Sequence, residues 1–401
     1  MDRPSLEVAD LIRSAGKIFL EKSRRWLTWQ HLKVLRAIAR CRTAALGGHI
    51  DQCSVCGHQA ISYQSCRNRH CPKCQVQARR QWVEARRREL LPVRYVHVVF
   101  TLPHQFAPLA LQNKTVIYDL LFRTSAETLL EVARNPQHLG AEIGFFSVLH
   151  SWNQKLEFHP HIHCVIPAGG LSPDHIHWIP CRHNFFLPVK VLGEVFRGKF
   201  TEALTDAFQQ GRLSFYGQLK ALVQPKLFGT LLESTYQRDW IVYAKRPFGG
   251  PQHVLKYLGG YTHRVAISNH RLVAFENGRV TFRWRDSAHK NKQRLMTLPV
   301  DEFLRRFLLH VLPPGFVRIR HFGFLANRSR ATLLPLCFAL LSTAASPIPA
   351  ENQSPGSAPY EYLQKCPVCG APMILGERLT ALQIYIRQIS IRPPPQCFQL
   401  S

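Results

Sequence analysis

Acidic residues are scarce in this chain. Of 401 residues only 25 are Asp or Glu, against 52 Lys and Arg, which leaves a formal charge of +27 near neutral pH. A compact fold with that excess repels itself unless an anionic partner offsets it. Long apolar runs are also missing. No window approaches the ~18–20 uninterrupted apolar residues that span a bilayer, and the longest candidate, residues 331–345, is interrupted by Pro335. The opening Met-Asp-Arg-Pro has no apolar core of a secretory signal. These absences argue against a membrane partner and point to nucleic acid. They predict a soluble intracellular protein. No internal repeat is visible.

Enough is present to build cores, since apolar residues make up 46% of the chain. At roughly 100–200 residues per domain, two or three domains are expected. Residues 5–45 carry helical periodicity, a cysteine-rich module follows at 49–75, and 77–91 reads as a basic helix ended by Pro92. Tyr95–Thr101 has the β-branched and aromatic content of a strand. A helix near 114–134 comes next, then strands at 143–150 and 161–166, a helical stretch at 190–222 and a strand at 240–245. A helix opens at Pro251 and runs past Tyr261. Asn277-Gly278 between two apolar runs marks a hairpin, because both residues tolerate the positive φ of a tight turn. Residues 301–312 form an amphipathic helix stopped by Pro313-Pro314, and the Ser, Ala and Pro of 342–359 read as a linker. The fold class is α+β. The expected division is a helical and zinc-binding domain at 1–92, a mixed α/β domain at 93–335, and a linker with a tail at 336–401.

Cysteine is clustered. Cys53-x2-Cys56 and Cys71-x2-Cys74 are two knuckles of the spacing that lets both thiolates of a pair reach one ion, and two pairs complete a tetrahedral Zn²⁺ site. Cys66 and His70 are further candidates, either replacing a member of that set or joining His49 and His58 in a second site. A closed four-ligand site is structural. Its expected task is to present the basic residues around it: Arg67, Arg69, Arg79, Arg80, Arg86 and Arg87 stand with only Glu84 and Glu89 against them, a composition suited to phosphate contact. Cys366-Pro-Val-Cys369-Gly is half of another ribbon with no second knuckle after it, and reads as degenerate or intermolecular.

Two further constellations carry chemistry. In His159-Pro-His161-Ile-His163, strand alternation puts the three histidines on one face and Ile162 on the other, and a hairpin turn returns Gln154 to their side. Two imidazoles and an amide oxygen hold Mg²⁺ or Mn²⁺ loosely, leaving positions for substrate and leaving the ion its full charge. A closed zinc site is the competing reading. In Tyr257-Leu-Gly-Gly-Tyr261 the two phenols, four apart, share a helix face. An aromatic core stripe is the plain alternative. Against it, Gly259 and Gly260 each cost a helix about 1 kcal/mol relative to alanine, and Lys256, His263 and Arg264 flank the pair with cationic side chains.

Taken in order, Cys66-x2-Arg-His-Cys-Pro-x-Cys-Gln, His159-Pro-His-Ile-His, Tyr257-x3-Tyr-Thr-His-Arg, Asp301-Glu-Phe-Leu-Arg-Arg-Phe-Leu-Leu-His and Phe316-Val-Arg-Ile-Arg-His resemble the two-tyrosine, His-hydrophobic-His transposases of bacterial rolling-circle insertion sequences. The resemblance covers roughly residues 10–330. It implies a catalytic domain with a central antiparallel sheet, the histidine pair on a middle strand and the tyrosine helix alongside. It makes His161 and His163 metal ligands, Gln154 or alternatively His159 a third, and Tyr257 and Tyr261 nucleophiles. It implies single-stranded or hairpin DNA ends and target DNA as substrates, cut and rejoined through 5′-phosphotyrosine. The rival readings are a plasmid-type rolling-circle initiator or relaxase with the same chemistry, and a non-catalytic zinc-ribbon DNA-binding regulator.

Overall fold

The computed structural model describes residues 4–182, 185–237, 239–248, 265–286, 289–343 and 365–391. The chain forms two compact units, Met1–Gln75 with Pro347–Ser401, and Val76–Ser346. Among the described residues, no helix is long and apolar enough to cross a membrane.

The first unit opens with helices Val8–Ser23 and Trp29–Arg40. Val8, Leu11, Ile12 and Phe19 form the buried stripe of the first. Thr28 caps the second: its hydroxyl accepts from the His31 amide while His31 Nδ1 accepts from the Thr28 amide. Strands β1 (Gly48–Cys53) and β2 (Gln59–Tyr63) make a hairpin, and helix Pro72–Arg87 begins with proline at its first position.

The second unit holds β3 (Tyr95–Thr101), β4 (Gly144–Trp152), β5 (Phe158–Pro167), β6 (Gly169–Leu171), β7 (Trp178–Pro180) and β8 (Val242–Phe248). Then come β9 (Leu272–Glu276), β10 (Arg279–Asp286), β11 (Lys292–Pro299) and β12 (Ile319–Gly323). Five of these form the central sheet in the order β12-β4-β5-β3-β8, with every neighbouring pair antiparallel. The α+β expectation and the antiparallel sheet both hold.

Alternation along the strands gives this sheet two different faces. Val96, Val98 and Phe100 of β3, Phe145 and Leu149 of β4, and Ile162, Cys164 and Ile166 of β5 enter the main core. Helices Lys114–Arg134 and Val189–Gln209 cover that face through Leu121, Phe122, Phe196 and Phe200. Each such side chain contributes roughly 1.5–3 kcal/mol by leaving water, so the register of β3, β4 and β5 is firmly set. The opposite face carries a second apolar cluster of Tyr95, Phe146, Val148 and Val165, and beside it His97, His150, His161 and His163.

The expected 190–222 helix divides. Helix Val189–Gln209 stops where Gly211 takes φ 66° and the amides of Gly211 and Arg212 turn back onto the carbonyls of Phe208 and Ala207. A 3₁₀ turn, Gly217–Val223, and a separate helix, Pro225–Tyr236, follow. The hairpin is as expected, with Asn277 and Gly278 at φ 49° and 70° joining β9 to β10. The helix expected from Pro251 past Tyr261 lies outside the described residues.

The tail differs from the three-part division. Strand β13 (Met373–Leu379) pairs antiparallel with β1, giving a three-stranded sheet in the order β13-β1-β2, and helix Ala381–Ile391 follows it. Residues 365–391 therefore belong to the N-terminal unit, because β1 supplies their hydrogen-bonding edge, whereas 336–343 end a helix of the second unit, Asn327–Thr343.

Candidate active site and metal centres

On the histidine face, β4 and β5 place His150 directly opposite His161, and Val148 opposite His163. One ring nitrogen from each of His150, His161 and His163 lies within 4.8 Å of the others, a spacing that fits three ligands of one ion. The rings are held. His150 stacks on Trp152 with centroids 4.6 Å apart. The Nδ1–H of His161 donates to the carbonyl of His159 at 2.7 Å, which leaves the ring lone pair on Nε2. His163 Nδ1 contacts His97 Nε2 at 2.8 Å, and the two rings are stacked. Burial, aided by the charges of Lys245 and His161, holds His97 down to about 3. His97 is therefore neutral at physiological pH and able to accept the His163 proton.

His150 and His97 were not among the expected site residues. His150 arrives from the neighbouring strand and His97 from the strand beyond, so only the pairing register brings them to His161 and His163.

An open cavity of about 680 Å³ lies over the cluster and is lined by His150, His159, His161 and His163, with Gln154 among its other walls. Gln154 lines the same cavity, and its backbone carbonyl accepts from Arg271. His159 contributes its carbonyl to His161, and burial lowers its own pKa. The far wall includes Trp284, Asp286 and His289. Lys155 sits 4.6 Å above the Trp284 ring, and Asp286 binds both His289 and Arg294 at 2.9 Å. Tyr257, Tyr261, Lys256 and Arg264 lie outside the described residues.

The thiols regroup. Cys53 and Cys56 do not share a site with Cys71 and Cys74. Instead Cys41, Cys66, Cys71 and Cys74 form one group, and Cys53, Cys56, Cys366 and Cys369 another. Hairpin geometry explains the correction. Cys53 and Cys56 sit at its turn, while Cys66 follows the end of β2 and Cys41 precedes the start of β1. At ~3.3 Å per residue the strands hold these two ends roughly 17 Å apart, too far for one ion.

In the first group Cys74 Sγ lies 3.5 Å from Cys41 and 3.6 Å from Cys66. Cys66, named as a possible ligand, belongs to it, whereas His70 lies outside both groups. His49 pairs with Asp51 at 3.3 Å and, like His58, belongs to neither group. Cys41 had no knuckle spacing to announce it. In the second group the Cys366 knuckle, read as degenerate or intermolecular, finds its complement within the same chain. Cys56 Sγ is 3.6 Å from Cys366 and Cys53 Sγ is 3.4 Å from Cys369. The amides of Cys56 and Val55 point at Cys53 Sγ and lower its pKa to about 6. Among the basic residues, Arg67, Arg69, Arg80 and Arg87 are exposed, and Arg79 and Arg86 half-buried.

Residues 144–332 match a family model described as "Putative transposase", and residues 11–102 match one described as "Transposase zinc-binding domain". The second match and the two thiol groups support structural zinc. The chain is 49% identical over 408 residues to "Putative transposase y4qJ" of Sinorhizobium fredii (strain NBRC 101917 / NGR234), covering 100% of both chains. It is 28% identical over 358 residues to the transposase for insertion sequence element IS801 of Pseudomonas savastanoi pv. phaseolicola, covering 86% of this chain and 83% of that one. No solved structure matches. A sheet bearing a three-histidine centre, a zinc-binding unit and full-length similarity to such a protein lead to one conclusion: the chain is a DNA-processing enzyme of the IS91-like transposase family.

Proposed function

We propose that this transposase nicks and rejoins single-stranded DNA at the ends of an insertion sequence, in a rolling-circle pathway, through 5′-phosphotyrosine intermediates on Tyr257 and Tyr261. The observation that carries the reading is the convergence of His150, His161 and His163 beneath one open cavity. Three imidazoles at this spacing fit a divalent ion. A nitrogen-rich set favours Mn²⁺ over Mg²⁺, because imidazole is the softer ligand and Mg²⁺ prefers oxygen. We take His150 as the third ligand in place of the Gln154 amide, which the sequence reading favoured.

When bound, the ion would polarise a phosphodiester oxygen and offset the negative charge that builds on the phosphoryl oxygens. The protein's own residues do the rest. The His159 carbonyl and His97 fix the tautomers of His161 and His163, so that each turns a lone pair toward the ion. A tyrosine Oη attacks phosphorus and gives up its proton. The Oη–P bond forms as the P–O3′ bond breaks, and the leaving 3′-oxygen takes up a proton. The phosphotyrosine conserves the bond, so a later 3′-hydroxyl reverses the step without ATP. Two tyrosines allow one end to stay attached while a second cleavage or transfer to target proceeds. The basic residues of 67–87 hold the phosphate backbone.

A denaturing gel tests this. Protein mixed with single-stranded DNA carrying element ends and Mn²⁺ is expected to give an adduct that survives denaturant. His150→Ala should abolish the adduct and leave DNA binding largely intact. An undiminished adduct in His150→Ala, or parallel loss of binding and cleavage, contradicts the assignment.

A further inference from the structure

The transposase zinc-binding match ends at residue 102, so it includes Cys53 and Cys56 but neither Cys366 nor Cys369. We propose that these four thiolates hold a second Zn²⁺, so that one zinc site is built half from each end of the chain and the tail is an integral part of the N-terminal zinc module.

Three observations carry this. The two knuckles mirror each other. Cys53-Ser-Val55-Cys56-Gly57 and Cys366-Pro-Val368-Cys369-Gly370 each place a glycine after the second cysteine, at φ 69° and 75°. In each, the amide of the valine points at the first sulfur, 3.4 Å away in both. That is the amide-to-thiolate geometry that stabilises metal-bound sulfur. Next, the four sulfurs converge within 4.8 Å, and the cross pairs from the two knuckles are 3.4–3.6 Å apart. Tetrahedral Zn–S bonds of ≈ 2.3 Å put sulfurs under 4 Å from one another. Finally, the backbone supports the closure. β1 and β13 pair from Gly48↔Leu379 to Cys53↔Met373, the Ser54 amide donates to the Pro372 carbonyl, and the Cys366 and Ala371 backbones hydrogen-bond. This is a ribbon of two knuckles on one sheet, divided over segments 310 residues apart in sequence.

The ligand class is a thiophilic divalent ion, Zn²⁺ by the all-sulfur tetrahedral set. The site cannot be completed until the C-terminal knuckle has been synthesised, so a chain lacking its tail keeps the Cys41 group but loses this ion.

The test is metal content and thiol reactivity of the full chain. Wild type is expected to carry two zinc per chain by elemental mass spectrometry. Cys366→Ser with Cys369→Ser should carry one, Cys53→Ser with Cys56→Ser also one, and the quadruple variant still one, because both pairs serve the same ion. A wild-type experiment decides the matter even where variants fail to fold. Cys56 and Cys369 are exposed, so only coordination shields them from iodoacetamide. Under graded chelation, alkylation mapped by peptide mass should unmask Cys53, Cys56, Cys366 and Cys369 together. One zinc in wild type, two retained without Cys366 and Cys369, or free alkylation of Cys366 and Cys369 while Cys53 and Cys56 stay protected would each overturn the proposal.

Discussion

His97 is not among the residues lining the cavity, yet it contacts His163 Nδ1, and in the proposed metal site that contact sets which nitrogen His163 turns to the ion. Outer partners of this kind are typically worth 10–100-fold in metal affinity. His97→Phe is therefore expected to weaken Mn²⁺ binding by about that factor, and His97→Gln, which keeps an acceptor, to recover part of it. Titration calorimetry with Mn²⁺ checks both. A second histidine bears on stability. His310 is buried, with Nε2–H donating to the Leu156 carbonyl at 3.1 Å and Nδ1 facing the Ser151 hydroxyl at 3.3 Å. Burial pushes it down to about 3. An unfolded chain takes up a proton there near pH 6.5 while the folded one does not, so stability is lost as pH falls from about 6.5 toward 3. The loss between pH 7 and 5 is about 2 kcal/mol from this group. Urea unfolding should show that slope shallower in His310→Gln. At this scale, His161 and His163 were legible because alternation alone puts them on one face. His150, His97 and Cys41 were not, since each joins its site through strand pairing or hairpin closure that no local spacing encodes.

Edge strand β12 reaches β4 through a tight backbone contact at Gly323, which pairs with Gly144. Gly323 has φ 58°, and a Cβ there would lie 1.7 Å from the Ile143 carbonyl oxygen. Gly278 in the β9–β10 turn has φ 70° with nothing within 4 Å of such a Cβ. The two separate conformational strain from overlap. Gly278→Ala should cost about 1 kcal/mol, the left-handed penalty, whereas Gly323→Ala should cost clearly more and free β12 from the sheet. Urea midpoints and amide exchange at Ile319–Gly323 measure this, and equal costs would contradict the contact. The hairpin could be read from Asn277-Gly278 because turn chemistry is local. The break after Gln209 could not, since apolar periodicity continues past Gly211 and only its positive φ ends the helix.

Across the whole molecule, charge and metal do separate work. The +27 excess predicts steep salt dependence of DNA binding. Each phosphate contact removed lowers the slope of log affinity against log salt by about 0.7 on single strands. Arg80→Ala and Arg87→Ala, both at exposed positions, should each lower it by about that amount, measured by fluorescence anisotropy from low to high salt. The existence of a zinc module was legible from Cys53 to Cys74, but its division into two groups was not. The hairpin parts Cys53 from Cys71 by closing its two strands on each other, and the β1–β13 pairing brings Cys366 to Cys56 across 310 positions. Peptide mass spectrometry of the protein–DNA adduct tests the proposed tyrosine chemistry most directly. After nuclease and protease digestion, a nucleotide joined through its 5′-phosphate to Tyr257 or Tyr261 is expected, formed only with divalent metal. A nucleotide on any other residue, or cleavage with no covalent nucleotide, would contradict it.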